Sequence, residues 1–110
     1  MDRQDFEVIV RETWEGIERA IDELALDGVE AYPEEKGMRL IFDDGSTATL
    51  TRNDDAMQLD LVTGSYLVPF YYDEGEESWY AHTDERPLLS VISEVISDKL
   101  ERRITLPDRI

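Results

Sequence analysis

The chain has 110 residues, no cysteine, a single histidine and a formal net charge of −16, from 27 carboxylates against 11 Lys and Arg. That length with 41% hydrophobic residues supplies one core and one domain over residues 1–110. The missing cysteines exclude disulfides, thiolate metal sites and thiol nucleophiles, and His82 alone makes a classical zinc site or a Ser-His-Asp triad hard to build.

So negative a chain repels phosphate backbones and anionic lipid, so it predicts no nucleic acid and no membrane as partners and favours basic protein surfaces and hard cations. Its charges are interleaved with regular apolar spacing, the pattern of a folded domain rather than of a disordered acidic tail. From Phe6 to Leu24 the positions Phe6, Ile9, Val10, Thr13, Trp14, Ile17, Ala20, Ile21 and Leu24 recur every three or four residues, which predicts a long amphipathic helix. Glu15, Glu18 and Asp22 share its opposite face, flanked by Asp5, Glu12 and Glu23, and Gly16 is a weak point that so long a helix tolerates.

After Asp27-Gly28 the period drops to about two, predicting strands at Val29–Tyr32 and Met38–Phe42 around a turn at Glu34–Gly37. Asp43-Asp44-Gly45-Ser46 predicts a tight hairpin of the primed type, since Asp-Gly accepts positive φ, returning into a strand at Thr47–Thr51. Beyond the polar turn Arg52-Asn53-Asp54-Asp55, strands are predicted at Met57–Val62, Tyr66–Tyr72 and Ser78–Ala81, with Pro69 marking an edge or a bulge. Turns this closely spaced demand antiparallel neighbours and therefore a meander. A closing helix is expected from a cap at Thr83 or Asp84, with Pro87 in its first turn and Leu88, Leu89, Ile92, Val95, Ile96 and Leu100 as its apolar stripe. Lys99, Arg102 and Arg103 suit the negative end of its dipole, and Ile104–Leu106 forms a short extended tail before Pro107. The predicted fold class is α+β, a two-layer sandwich with both helices on one face of an antiparallel sheet of about six strands.

Ordinary enzymology finds no footing, because the chain carries no Gly-rich phosphate loop, nucleophile elbow or His ligand motif. Asp43 and Asp44 are explained by their turn, the Tyr66, Tyr71, Tyr72, Tyr80 and Trp79 group by strand packing, Trp14 by the core and His82 by a loop. The start MDRQDFEV has neither an apolar signal core nor an Arg-rich transit pattern, so a cytoplasmic location is expected. The acidic run Glu15, Glu18, Asp22 and Glu23, continuing through Asp27 and Glu30, has two readings: a solvated face, or a string of carboxylates that gains when a cation neutralises it.

The order helix, meander, helix is similar to that of the frataxin family, and the local sequence resembles the family from Met38 to Leu100. Met38-Arg39-Leu40-Ile41-Phe42-Asp43-Asp44-Gly45-Ser46 resembles its central hairpin. Phe70-Tyr71-Tyr72-Asp73, a loop, Trp79 and Thr83 to Leu89 resemble its aromatic-Asp, Trp and C-terminal helix segments at nearly the same spacing. The resemblance implies a frataxin-like iron-binding protein that carries Fe2+, and Fe3+ as well, weakly at surface carboxylates, and that modulates iron–sulfur cluster assembly. It implies a cysteine desulfurase and an iron–sulfur scaffold protein as partners, a metal-free monomer, and at most a ferroxidase-like activity rather than ordinary catalysis. Iron is then expected at Glu15, Glu18, Asp22, Glu23, Asp27 and Glu30, and partner contact at Asn53, Gln58, Asp60 and Trp79.

Two departures from the family's pattern stand out. Where it carries Asn-x-Gln and then Gln-(Ile or Val)-Trp, this chain has Thr51-Arg52-Asn53 and Gln58-Leu59-Asp60, so Gln58 is kept, Asn53 stands for the Gln and Asp60 for the Trp. The stretch Gly64–Pro69 is also longer than the family norm. Two readings from other classes stay open beside this one: a small acidic adaptor such as a dimeric secretion-type chaperone, and an acidic inhibitor or immunity-type protein.

Overall fold

Eight elements follow in chain order in a computed structural model that describes residues 1–106: α1 (Arg3–Glu23), β1 (Val29–Glu34), β2 (Gly37–Phe42), β3 (Thr47–Asn53), β4 (Gln58–Thr63), β5 (Tyr66–Asp73), β6 (Ser78–Ala81) and α2 (Leu88–Leu100). Asp2 caps α1, its carboxylate accepting from the Asp5 N–H at 2.8 Å, as acidic side chains do at the positive end of a helix. Phe6, Val10, Thr13, Ile17, Ala20 and Ile21 form the buried stripe, and Gly16 lies within it. Leu24, predicted on that stripe, is instead the exposed C-cap.

The six strands pair in sequence order, every neighbour antiparallel. Their register aligns Met38 with Leu50, Leu50 with Leu61, Leu59 with Phe70, and Phe70 with Ala81. These side chains therefore share one face, and together with the apolar faces of α1 and α2 they form a single buried cluster. The intervening residues, among them Glu30, Arg39, Thr49, Asp60 and Tyr71, occupy the opposite face, which no helix covers.

Four local expectations are corrected. The 43–46 hairpin is not of the primed type: the Gly45 N–H donates to the Phe42 carbonyl, Phe42 N–H to the Ser46 carbonyl, and Gly45 alone in this turn has positive φ, at 85°. That is a type I turn closed by a left-handed glycine, which spares both aspartates the left-handed region. β3 runs through Arg52 and Asn53, predicted as turn, because their backbones stay in register with Leu59 and Gln58 while the Arg52 side chain is taken up by Glu7 and Asp54 and that of Asn53 by the Ala56 N–H. Pro69 makes neither an edge nor a bulge. It pairs with Asp60 in regular register, and its carbonyl accepts from His82, so the side that lacks an N–H faces the place where β6 has already ended.

The fourth correction is the start of α2, where Pro87 is the N-cap. Asp84 caps nothing helical, because its carboxylate accepts from the Arg86 N–H in a local turn, and Glu85 adopts φ 58°. At the other end the predicted tail folds back onto α2. Ser97 Oγ both donates to the Ile104 carbonyl and accepts from its N–H, while Ser93 Oγ accepts from the Leu106 N–H and donates to the Leu89 carbonyl. Leu106 is thereby buried to 2% exposure, and Pro107 lies outside the described residues. Leu106→Ala is expected to cost about 2–3 kcal/mol, read as a lower urea midpoint at an unchanged slope. A midpoint equal to the parent's would mean that the tail does not seal the core.

Candidate functional site

Glu15, Glu18 and Asp22 lie on the exposed face of α1, and positions three or four apart on a helix place their Cβ atoms roughly 5–6 Å from one another. Glu23 ends the helix, Asp27 is exposed in the loop that follows, and Glu30 points from the outer face of β1. Among the described residues none of Glu15, Glu18, Asp22, Glu23 or Asp27 forms a salt bridge. Glu30 alone is engaged, accepting from the Tyr32 hydroxyl, and that bond, ahead of the charge of Glu30, raises the Tyr32 pKa. No three of the described Asp, Glu and His side chains converge into a ready ligand set. The ridge is therefore an extended string of solvated carboxylates rather than a cage. Two neighbours at a time can hold a cation that keeps most of its water, which gives weak and readily reversed binding.

The second cluster lies on the uncovered sheet face. Asn53 pairs with Gln58 across β3 and β4, and Asp60 sits between Thr51 and Pro69, all three partly exposed. Asn53 also accepts from the Ala56 N–H, which fixes the turn between them. Beside it, Arg52 places its fork on Glu7 at 3.0 and 2.5 Å, its Nε on Asp54 at 2.5 Å, and its guanidinium 5.4 Å from the centre of the Phe6 ring. This ties the β3–β4 turn to α1.

The charge pattern sets the pH response. The hydrogen bonds from Arg52 hold Glu7 and Asp54 below the usual carboxylate range, and the Ser46 hydroxyl does the same for Asp44. A pKa depressed by folding stabilises above the unfolded value and loses that contribution as pH falls through the folded one, so these three groups weaken the fold below about pH 4. In the opposite direction, lowering the pH from neutrality reduces the self-repulsion of a chain with net charge −16. Thermal stability is expected to peak between about pH 4 and 6 and to fall on either side. A melting temperature that climbs steadily down to pH 3 would contradict the assigned hydrogen bonds.

Trp79 lies on the face of β6 that the helices cover. It is 5% exposed, and its Nε1–H donates at 3.0 Å to Thr13 Oγ1, which in turn donates to the Ile9 carbonyl. Its ring stands edge-on to Phe6 and Tyr72, at 6.4 and 5.1 Å between centroids. The reason is parity: on β6, Trp79 and Ala81 point under the helices, and Ser78 and Tyr80 point outward. Trp79 is therefore part of the core cluster and not of the outer-face group Asn53, Gln58 and Asp60.

On the outer face, Tyr71 and Tyr80 pack across β5 and β6, as strand aromatics are expected to do. Tyr71 lies 6.2 Å from Tyr80 and 5.1 Å from His82 between ring centroids, so His82 is packed rather than idle in a loop. Burial, ahead of the charge of Glu85, raises the Tyr71 pKa. Continuing the Leu59–Phe70 register by one step sets Gln58 beside Tyr71, a neighbourhood that strand parity alone could have revealed.

An acidic helix laid with a second helix over one face of a six-stranded antiparallel meander, and an opposite sheet face left open, define a two-layer α+β domain with two separate surfaces. The sequence model of the frataxin-like domain matches residues 1–102, and the chain belongs to that family. Among solved structures, a frataxin from Psychromonas ingrahamii, described as a model for studying stability modulation within the CyaY protein family, superposes with a TM-score of 0.87. It is 18% identical, with 96% of this chain and 97% of that chain covered, a likeness of fold. No curated protein sequence matches the chain. No helix among the described residues is long and apolar enough to cross a membrane.

Proposed function

We propose that this protein is a single-domain cytoplasmic carrier of ferrous iron that modulates iron–sulfur cluster assembly. The observation that carries the reading is the run of exposed carboxylates on α1, free of salt bridges among the described residues, in a member of the frataxin-like family. Iron is cargo here. Glu15, Glu18, Asp22 and Glu23, with Asp27 and Glu30 beyond, offer the oxygen donors that Fe2+ and Fe3+ prefer, and mutual repulsion along the ridge is relieved when the ion binds. An open site of this kind releases what it binds, which suits handover better than storage. The same ridge attracts a basic surface on a cysteine desulfurase by complementary potential, while Asn53, Gln58 and Asp60 face the iron–sulfur scaffold. The metal-free protein acts as a monomer.

Anaerobic Fe2+ titration by calorimetry, with NMR shift mapping, tests the first part. Shifts confined to α1 and β1 are expected, and the double variant Glu18→Gln with Asp22→Asn should bind Fe2+ roughly tenfold more weakly, since each lost charge removes direct attraction to a divalent ion. Absence of binding heat, or no loss in the variant, would sink the iron reading. Desulfurase binding should weaken with salt and with Glu18→Lys and Asp22→Lys; binding indifferent to both would sink the docking mechanism.

A further inference from the structure

We propose that a second site, separate from the ridge and the outer sheet face, binds a small organic cation: an ammonium group carried on a single apolar ring. The site is a cavity of about 190 Å³ where the first half of α1, the ends of β5 and β6 and the start of α2 meet. An apolar cavity of about 150 Å³ accommodates benzene, so this space accepts one ring with a short arm.

Its lining divides by chemistry. Ile9, Leu88, Trp79 and Tyr72 supply the apolar part. The indole N–H of Trp79 is turned inward to Thr13, so no ligand is needed to satisfy it, and its ring meets the Tyr72 ring edge-on at 5.1 Å. Aromatic faces attract cations, most of all where water is thinned out. Glu12 and Glu77 stand at the mouth, both exposed. Their fields converge inside: burial first, and then the charges of Glu77, Glu12 and Glu74, raise the Tyr72 pKa. The start of α2 also lines the cavity, and its dipole contributes about half a positive charge. Two full carboxylates outweigh it, so the net preference is for a cation.

The loop carries a further mark. Glu77 adopts φ 54°, a left-handed conformation that costs an L side chain and that glycine adopts freely. A carboxylate is thus kept at the rim at a backbone position suited to glycine. This lets binding be separated from stability.

The test titrates the protein with 2-phenylethylamine, the neutral 2-phenylethanol and the anionic 3-phenylpropionate, following the Trp79 indole N–H resonance, with Trp14, which does not line the cavity, as reference. Saturable shifts at Trp79 are expected for the amine, with a dissociation constant on the order of a millimolar for so few heavy atoms, and roughly tenfold weaker binding for the alcohol. The carboxylate should bind more weakly still. Glu77→Gly should melt at or above the parental temperature and bind the amine roughly threefold more weakly, and Glu12→Gln should weaken it by a similar factor. No shift up to roughly 20 mM amine, equal affinity for the alcohol or the carboxylate, or unchanged amine affinity in both variants would each overturn the proposal.

Discussion

Gly37→Ala is expected to lower the melting temperature by roughly 10–15 °C, equivalent to about 3 kcal/mol, because no side chain can yield to the added methyl group. Gly37 opens β2, paired with Glu34 on one side and Thr51 on the other, and is buried. A Cβ there would lie 2.2 Å from the Leu50 carbonyl oxygen and 3.3 Å from the Thr51 Cα, and all the near atoms belong to backbone. Relief therefore requires β2 to separate from β3 beside Met38 and Leu50, both of them in the core. Gly75→Ala is the control: its Cβ would meet only the Asp73 carboxylate at 3.2 Å, a side chain at the protein surface that can give way. Its cost is expected to stay within about 1 kcal/mol. Scanning calorimetry distinguishes the two, and a Gly37→Ala protein melting within a few degrees of the parent would refute the close approach.

The architecture was legible because two periods dominate the chain. Three-and-four spacing through Ile17 and Ile21, and alternation through Met38, Leu40 and Phe42, assigned α1 and β2 to one core, and the structure buries those residues together. What hydropathy could not show was where backbone hydrogen bonds go. Arg52 and Asn53 look like turn residues, yet they stay in register with Leu59 and Gln58 of β4, and the Arg52 N–H donates to the Lys36 carbonyl on the other side; Ser93 and Ser97 look like helix surface, yet they anchor the returning tail. The acidic ridge was visible as residue types at helical spacing. That it forms no salt bridge among the described residues was not, because that depends on side-chain placement: Arg52, Arg39 and Lys36, for instance, spend their charges on Glu7, Glu34 and Asp54. Trp79 illustrates the same limit, since an aromatic on a four-residue strand can point either way until its pairing with Tyr72 is known.

Asp60→Trp is expected to tighten binding to an iron–sulfur scaffold protein by roughly 30-fold, about 2 kcal/mol, the scale of an aromatic anchor at an interface. Asp60 stands at the position where the frataxin pattern carries Trp, on the uncovered face, with Thr51 and Pro69 opposite it on the flanking strands and Gln58 two residues away on the same side. Directly opposed side chains on neighbouring strands lie within about 5.5 Å, so an indole there can rest on the Pro69 ring while leaving most of its area to a partner. The present carboxylate acts in the opposite sense, because covering it at an interface strips its water without supplying a counterion. Asp60→Ala separates these effects by removing the charge without adding the ring. If the anchor matters, Asp60→Ala recovers only a small part of the gain, and the rest appears with Trp. Equal affinities for the two variants would assign the whole effect to charge, and no gain in either would mean that the scaffold does not meet this face. Since Asp60 makes no salt bridge among the described residues, neither substitution should lower stability, so any change in affinity reports on the interface itself.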